Sequence, residues 1–408
     1  MRASRSLMRI DANTIQRDAI LKDASKLIHL GRPPAQFEGT VNHPVYRAST
    51  ILSTDIKTYL GRHDGDRRYV GVTYGAAGTH NARALAEAVN GFEEGAGTVI
   101  TGTGLSAITV TLAALTKAGD HLLITDSVYG PTRNFCNNVL ARYGVETTFY
   151  DPTIGAGIAD LIQDNTRLIY TEAPGSLTFE MQDIPAIVKA AKARDVLVAM
   201  DNTWATPLYF KPIPNGVDIS IQAGTKYFAG HSDLVIGMVT CATDELYRRI
   251  IDERRSFGDT ASADDCFLTL RGMRSLHVRL TQQSAAALKV AQWLEQHPAV
   301  ARVLYPALPS DPGHALFARD FSGASSLMGL VLKSQNLDAT ARFIDDLEMF
   351  RIGSSWGGYE SLIVANNGRT LPRDAVPWTT SEWLLRVHVG LEDPDDLIDD
   401  LTRGFERM

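Results

Sequence analysis

From about residue 81 onward, short apolar runs alternate with stretches whose apolar residues recur at helical spacing. The runs are TVIT at 98, HLLIT at 121, RLIYTEAP at 167, VLVAMD at 196, VDISIQ at 217 and LVIGMVT at 234. Runs this short, bounded by polar or turn residues, read as buried strands. Alternated with helices they predict an α/β fold, a mostly parallel sheet with helices on both faces. After a helical stretch from Ser284 to Glu295 the pattern changes to ARVLYP, SSLMGLVLK, MFRI and LLRVHVG with helices between. That change predicts a smaller C-terminal α/β domain over 284–408, following a large domain over 81–283.

The first 80 residues behave differently. Between Asp11 and Leu30, the residues Ile15, Ala19, Leu21, Ala24, Leu27 and Ile28 keep roughly helical spacing, and Gly31 supplies a stop. Residues 31–80 lose that period and are rich in Gly, Pro, Arg and Tyr, as in HPVYRAST and GRHDGDRRYVGVTYGAAGTH. So long an aromatic, loop-like segment predicts an arm that packs on something outside its own core.

Composition narrows the function. A chain of 408 residues with 44% hydrophobic content has room for two domains. Its 40 Lys and Arg against 47 Asp and Glu leave a net charge of −7, without the basic excess that phosphate neutralisation on nucleic acid requires. Cys136, Cys241 and Cys266 form no C-x-x-C pair, so neither a disulfide framework nor a zinc site is expected, and a reducing cytoplasm fits. MRASRSLMRI leads into no apolar stretch, and no run of 18 apolar residues occurs, so neither secretion nor a membrane span is expected.

In an open parallel sheet, ligands lie at the carboxyl ends of the strands. Here VLVAM delivers Asp201, ISIQAGT delivers Lys226, and HLLIT delivers Asp126, Ser127 and then Tyr129. A lysine ending a strand ordinarily marks only where the strand reaches water, because Lys is rarely buried unless paired or chemically used. Its companions change that reading. TGTGLSAITVTLAAL from Thr101 opens an apolar helix with small residues, leaving free N–H groups at a positive helix end, which is an anion site. A phosphate cradle, an aromatic face, a carboxylate and a lysine together meet the needs of pyridoxal phosphate. Gly102, Gly104 and Ala107 also fit the G-x-G-x-x-A dinucleotide fingerprint, with Asp126 at a suitable distance. That alternative leaves Lys226 and Asp201 unexplained.

VNHPVYRAST at 41, DNTWATPL at 201, AGTKYFAGHSD at 223, SSWGGYESL at 354 and LLRVHVGLEDPDDL at 384 span nearly the whole chain. In these segments it resembles the Cys/Met-metabolism family of fold-type I pyridoxal-phosphate enzymes. Within that family it is similar to the bacterial cystathionine β-lyase branch. Two features carry the branch: EAPGSLTFEMQD at 172, where γ-lyases and synthases have a proline-asparagine-proline turn, and Trp356 after Ser355.

The resemblance implies a role for each site residue. Lys226 would bond to pyridoxal 5'-phosphate and carry the Cα proton. Asp201 would pair with the pyridine nitrogen, although a strand-end carboxylate is otherwise a helix cap. Tyr129 would stack on the ring. The N–H groups of Gly104 and Leu105 and the Thr225 hydroxyl would hold the phosphate. Arg386 and Ser355 would bind the substrate carboxylate beside Trp356, the alternative for Arg386 being an internal acidic partner. Tyr74 would act in a neighbouring subunit's site. No metal is implied, and His231, a lone histidine, is read as structural.

Relatives carry an arginine two residues after the equivalent of Tyr74, whereas this chain has Ala76, with Arg67 and Arg68 as nearby substitutes. The activity implied is cleavage of the small amino acid L-cystathionine, and possible further cysteine S-conjugates, to homocysteine, pyruvate and ammonia. The setting implied is a cytoplasmic homotetramer of site-sharing dimers. A γ-lyase or O-acylhomoserine sulfhydrylase is the near alternative, and a non-catalytic pyridoxal-phosphate-binding regulator is the alternative from another class.

Overall fold

In the computed structural model, which describes residues 21–32, 39–63, 72–378 and 382–408, the apolar runs assemble into two sheets. The first contains β1 (Gly97–Thr101), β2 (His121–Thr125), β3 (Glu146–Tyr150), β4 (Thr166–Glu172), β5 (Leu197–Asp201), β6 (Ile219–Gln222) and β7 (Gly237–Cys241). Their order is β1-β7-β6-β5-β4-β2-β3. The pairs from β6 to β3 are parallel, and β7 runs antiparallel to both of its neighbours. The expected mostly parallel sheet is therefore present, with LVIGMVT as its reversed strand.

Alternation along each strand divides the core between the two faces. Leu122, Ile124, Leu168, Tyr170 and Ala199 pack with the helices Gly104–Leu115 and Asp244–Ser256. Leu123, Ile169, Val198 and Met200 point the other way, onto the helix Ile184–Lys192 and the second sheet. Helix starts follow the caps in the sequence. Thr103, Asp183, Thr243 and Ser262 each accept a hydrogen bond from a backbone N–H in the first turn of the helix that follows.

The second sheet holds β8 (Val300–Leu304), β9 (Leu327–Leu332), β10 (Arg351–Ile352), β11 (Leu362–Asn367) and β12 (Trp383–His388), in the order β10-β11-β12-β9-β8. Two strands escaped the apolar pattern. In β3, Glu146 is exposed and only Tyr150 is buried, as suits an edge strand, and β11 ends in two asparagines. The expected boundary at 283/284 falls inside one continuous helix, Ala263–Gln296, so the sheets are joined by a rod and not by a linker.

The N-terminal helix is seen over Asp23–His29, and the earlier part of the expected helix lies outside the described residues. The arm is largely irregular as expected, with a short helix at Ile56–Leu60. Arg67 and Arg68 also lie outside the described residues.

The long helix locks the segment that follows Lys226. At Gly272 it crosses so closely that a Cβ there would lie 2.3 Å from the Phe228 carbonyl oxygen and 2.4 Å from that of Ala229. Arg279, one helical stretch further on, donates to the carbonyls of Tyr227 at 2.8 Å and Gly272 at 2.9 Å. Gly272→Ala should therefore overpack this crossing and cost about 1–3 kcal/mol. Thermal unfolding checks it: the expected result is a lower melting temperature, and an unchanged one would mean that the crossing yields freely.

Candidate active site

The carboxyl ends of β4, β5 and β6 bring the site together. In the β4–β5 register Glu172 stands opposite Asp201, and Asp201 stands opposite Ile221. Asp201 accepts hydrogen bonds from the Thr203 N–H at 3.0 Å and the Thr203 hydroxyl at 2.6 Å. The Thr203 hydroxyl also accepts from the Ala223 N–H at 2.8 Å, tying the end of β5 to the turn that carries Lys226. Burial pushes the Asp201 pKa up, opposed by the Thr203 bonds and the nearby Lys226.

Lys226 is half-buried, and its Nζ donates to Ser355 Oγ at 2.6 Å. The Nζ also lies 5.3 Å from the Trp356 ring centroid. Burial, reinforced by the Arg386 charge and opposed by Asp201, pushes its pKa down to about 8. An amine so placed is neutral in about a tenth of molecules at pH 7, far more than an ordinary lysine, which favours its use as a nucleophile and proton carrier.

The turn holding Ser355 and Trp356 is held firmly. Ser355 has φ +78°, an uncommon conformation for a residue with a side chain, of the kind that clusters at functional sites. Gly357 has φ +89°, and a Cβ on it would lie 2.9 Å from the Lys226 carbonyl carbon. The Gly357 N–H donates to His388 Nε2 at 3.1 Å, and His388 Nδ1 faces Ser326 Oγ at 3.1 Å. Burial pushes His388 down to about 4, which keeps the ring neutral and able to accept that bond.

Arg386 projects from the middle of β12 and donates to the Ser355 carbonyl at 3.1 Å. Among the described residues it has no carboxylate partner, so the internal ion pair weighed from sequence is absent. A half-buried guanidinium left this way awaits an anion. Tyr129 is 43% exposed at the head of the helix Gly130–Asn138, and its N–H donates to Glu172 at 2.8 Å. Its hydroxyl feels Asp201, Glu172 and Arg386, so these four residues share one electrostatic neighbourhood.

Gly104 begins its helix directly against Ala223, where a Cβ would approach to 2.6 Å. Thr103 takes the Ser106 N–H, whereas those of Gly104 and Leu105 have no acceptor among the described residues. The site thus combines free helix-end amides, a buried carboxylate, an arginine without a carboxylate partner among the described residues and a lysine of lowered pKa. That set fits a group bearing a phosphate, a basic ring nitrogen and an aldehyde.

One expectation changes. The Thr225 hydroxyl donates to the Ile236 carbonyl at 3.1 Å and accepts the Ile236 N–H at 3.0 Å, so it closes the loop base and is not a free phosphate donor. Tyr74 is 54% exposed on the arm, bridged to Thr50. His231 Nδ1 lies 2.7 Å from the Ala229 carbonyl, a structural contact. Sequence reasoning missed Glu172, although it ends a strand beside Asp201 and could have been found by the strand-end rule that found Asp201.

The fold and this set of groups define a pyridoxal-phosphate-dependent enzyme of the α/β class. Residues 24–406 match the Cys/Met metabolism PLP-dependent enzyme family, and the chain belongs to it. It is 39% identical over 393 residues to the cystathionine beta-lyase MetC of Escherichia coli, covering 94% of this chain and 98% of that one. It is 40% identical over 397 residues to an L-alanine/L-glutamate racemase of Wolbachia pipientis, covering 95% of this chain and 98% of that one. The solved cystathionine gamma synthase of Xanthomonas oryzae, in complex with aminoacrylate and cysteine, superimposes with a TM-score of 0.86 at 31% identity, covering 95% of this chain and 98% of that one.

If Lys226 is the amine that bonds to the cofactor, attachment should slow about tenfold per pH unit below the lysine's depressed pKa of about 8 and level off above it. Stopped-flow absorbance of the apoprotein mixed with pyridoxal phosphate measures this. A profile still rising steeply towards pH 10 would show an ordinary lysine. Borohydride should fix the cofactor on the peptide containing Lys226, and Lys226→Ala should abolish that adduct.

Proposed function

We propose that this protein is a carbon–sulfur β-lyase that cleaves L-cystathionine, with water, to homocysteine, pyruvate and ammonia. The observation that carries the reading is the Lys226–Ser355–Trp356 contact, with Nζ 2.6 Å from the serine hydroxyl and 5.3 Å from the indole centroid. It joins the proton-carrying amine to the tryptophan that marks the β-lyase branch. The E. coli relative's name supports the same substrate.

Bound pyridoxal phosphate would supply an electron sink for the charge left at Cα. Asp201 would hold the ring nitrogen protonated, and Tyr129 would cover one ring face. Gly104 and Leu105 would donate their N–H groups to the phosphate. Arg386, itself fixed by the Ser355 carbonyl, would clamp the substrate α-carboxylate. Lys226 Nζ would take the Cα proton and return a proton to the departing sulfur, with Ser355 Oγ steering the amine.

We also assign Tyr74 to a neighbouring subunit's site, in a cytoplasmic homotetramer built from site-sharing dimers. In support, the arm exposes Leu52, Ile56, Leu60 and Tyr74 to solvent, with Leu52 at 90% exposure, more apolar surface than an isolated segment of a monomer needs. Among the described residues no helix is long and apolar enough to cross a membrane.

Incubation with L-cystathionine followed by keto-acid identification tests the assignment, with pyruvate expected. Dominant 2-oxobutyrate would place the activity in the γ-lyase branch. Racemised L-alanine without any keto acid from cystathionine would point to the chemistry named for the Wolbachia relative.

Arg386→Lys should raise KM about tenfold or more while the protein still folds, because one ammonium cannot reproduce a planar, two-pronged clamp. Asp201→Ala should retain cofactor but lose most of kcat. Steady-state kinetics check both variants, and near-normal turnover in either would remove that residue from its role.

A further inference from the structure

Asp126 directly follows β2, on the turn that leads to Tyr129, and it is buried. The chemistry assigned to the other strand ends leaves it unused. Its carboxylate instead accepts three successive backbone N–H groups from the connection between β11 and β12: Asp374 at 2.9 Å, Ala375 at 2.9 Å and Val376 at 3.0 Å. Arg133, on the helix headed by Tyr129, donates to the same carboxylate at 2.6 Å and to the Asp126 carbonyl at 2.9 Å, and it also pairs with the Asp374 carboxylate.

The grip is electrostatic. Asp374, Ala375 and Val376 are all exposed, so burial of apolar surface does not pin them. Burial pushes the Asp126 pKa up, but the N–H groups of Asp374 and Val376 and the Arg133 guanidinium outweigh it and hold the carboxyl below its ordinary range, so it keeps its charge at neutral pH. Hydrogen bonds to an ionised acceptor are about twice as strong as neutral ones.

A second anchor lies one residue earlier. Arg373, its side chain 5% exposed, donates to the Thr178 hydroxyl at 2.6 Å and pairs with Glu180. The turn before Thr178 is itself packed on the residue after Asp126: a Cβ on Gly175 would lie 2.2 Å from Ser127 Oγ, and the Ser176 N–H donates to the Ser127 carbonyl at 2.7 Å. Residues 373–376 thus form a strap fastened to two neighbouring turns of the first sheet, one leading to Tyr129 and the other following Glu172. The same connection runs into β12, from which Arg386 projects.

We propose that Asp126 is a positioning residue: through the strap it sets where the turn of Tyr129 lies relative to Arg386, and so fixes the gap in which an amino-acid substrate sits between the cofactor ring and the carboxylate clamp. The inference rests on the roles proposed for Tyr129 and Arg386. Loosening the strap lets the two sides of the gap shift independently, which weakens ground-state and transition-state binding alike, so the effect falls on KM and not on kcat.

The experiment compares the holoenzyme of the wild type with Asp126→Asn, which keeps the shape of the side chain and loses its charge, with Arg373→Gln, and with the double variant. Melting temperature verifies folding, and Arg373→Gln frees the same strap from its other anchor should Asp126→Asn fail to fold. Hydrogen exchange reads the amides of 374–376, glycine titrated against the cofactor absorbance reads amino-acid binding without any need for cleavage, and steady-state kinetics with L-cystathionine give KM and kcat. The expected result is faster exchange, a rise of about tenfold in both the glycine Kd and KM, and kcat within about twofold of the wild type. The double variant should bind glycine little worse than the weaker single variant, because both substitutions free one strap. Faster exchange with unchanged glycine binding would overturn the proposal and leave the strap a purely structural tie, and unchanged exchange would overturn it too. Weakened glycine binding in the variants, beside a wild type that cleaves no cystathionine, would support the strap and sink the lyase reading alone.

Discussion

The structure turns on the cost of bringing opposite charges out of water at one edge of a sheet. Asp201 and Glu172 end adjacent strands side by side, and burial pushes both carboxylates up. Lys226 is pushed down to about 8 beside them, while Arg386 has no carboxylate among the described residues. Each group is strained in the direction that a cofactor with a cationic ring nitrogen, an aldehyde and an anionic substrate would relieve. The charges along this strand-end edge complement those of pyridoxal phosphate and an amino acid.

Packing far from the chemistry keeps that set in register. Arg279 and Gly272 on the long helix hold the backbone just beyond Lys226, and His388 with Gly357 holds the turn of Ser355 and Trp356 against it. The amine is therefore gripped from both sheets. The helix that joins the two sheets also buttresses the segment after Lys226, and it runs unbroken through the position where the pattern of apolar runs suggested a boundary.

Much of this was legible in the sequence because strand ends in parallel sheets are predictable places for ligand groups. Lys226 and Asp201 follow apolar runs directly, and Arg386 interrupts one. What remained hidden depends on partners distant along the chain. Glu172 ends a strand as Asp201 does and the strand-end rule reaches it, but only the pairing of the two strands shows the two carboxylates side by side. The Thr225 hydroxyl was assigned to phosphate, but the reversal of β7 brings Ile236 beside it and takes both of its bonds. That reversal was itself unreadable from apolarity: the segment between β6 and β7 contains no crossover helix, so the next strand returns antiparallel.

The most direct test of the central claim is the protonation state of the cofactor's ring nitrogen, read by nitrogen-15 NMR of labelled pyridoxal phosphate bound to the protein. If Asp201 is the partner that relieves the buried carboxylate edge, the nitrogen is protonated near neutral pH in the wild type and loses that proton in Asp201→Asn. An unprotonated nitrogen in the wild type, or the same state in both proteins, would contradict the account.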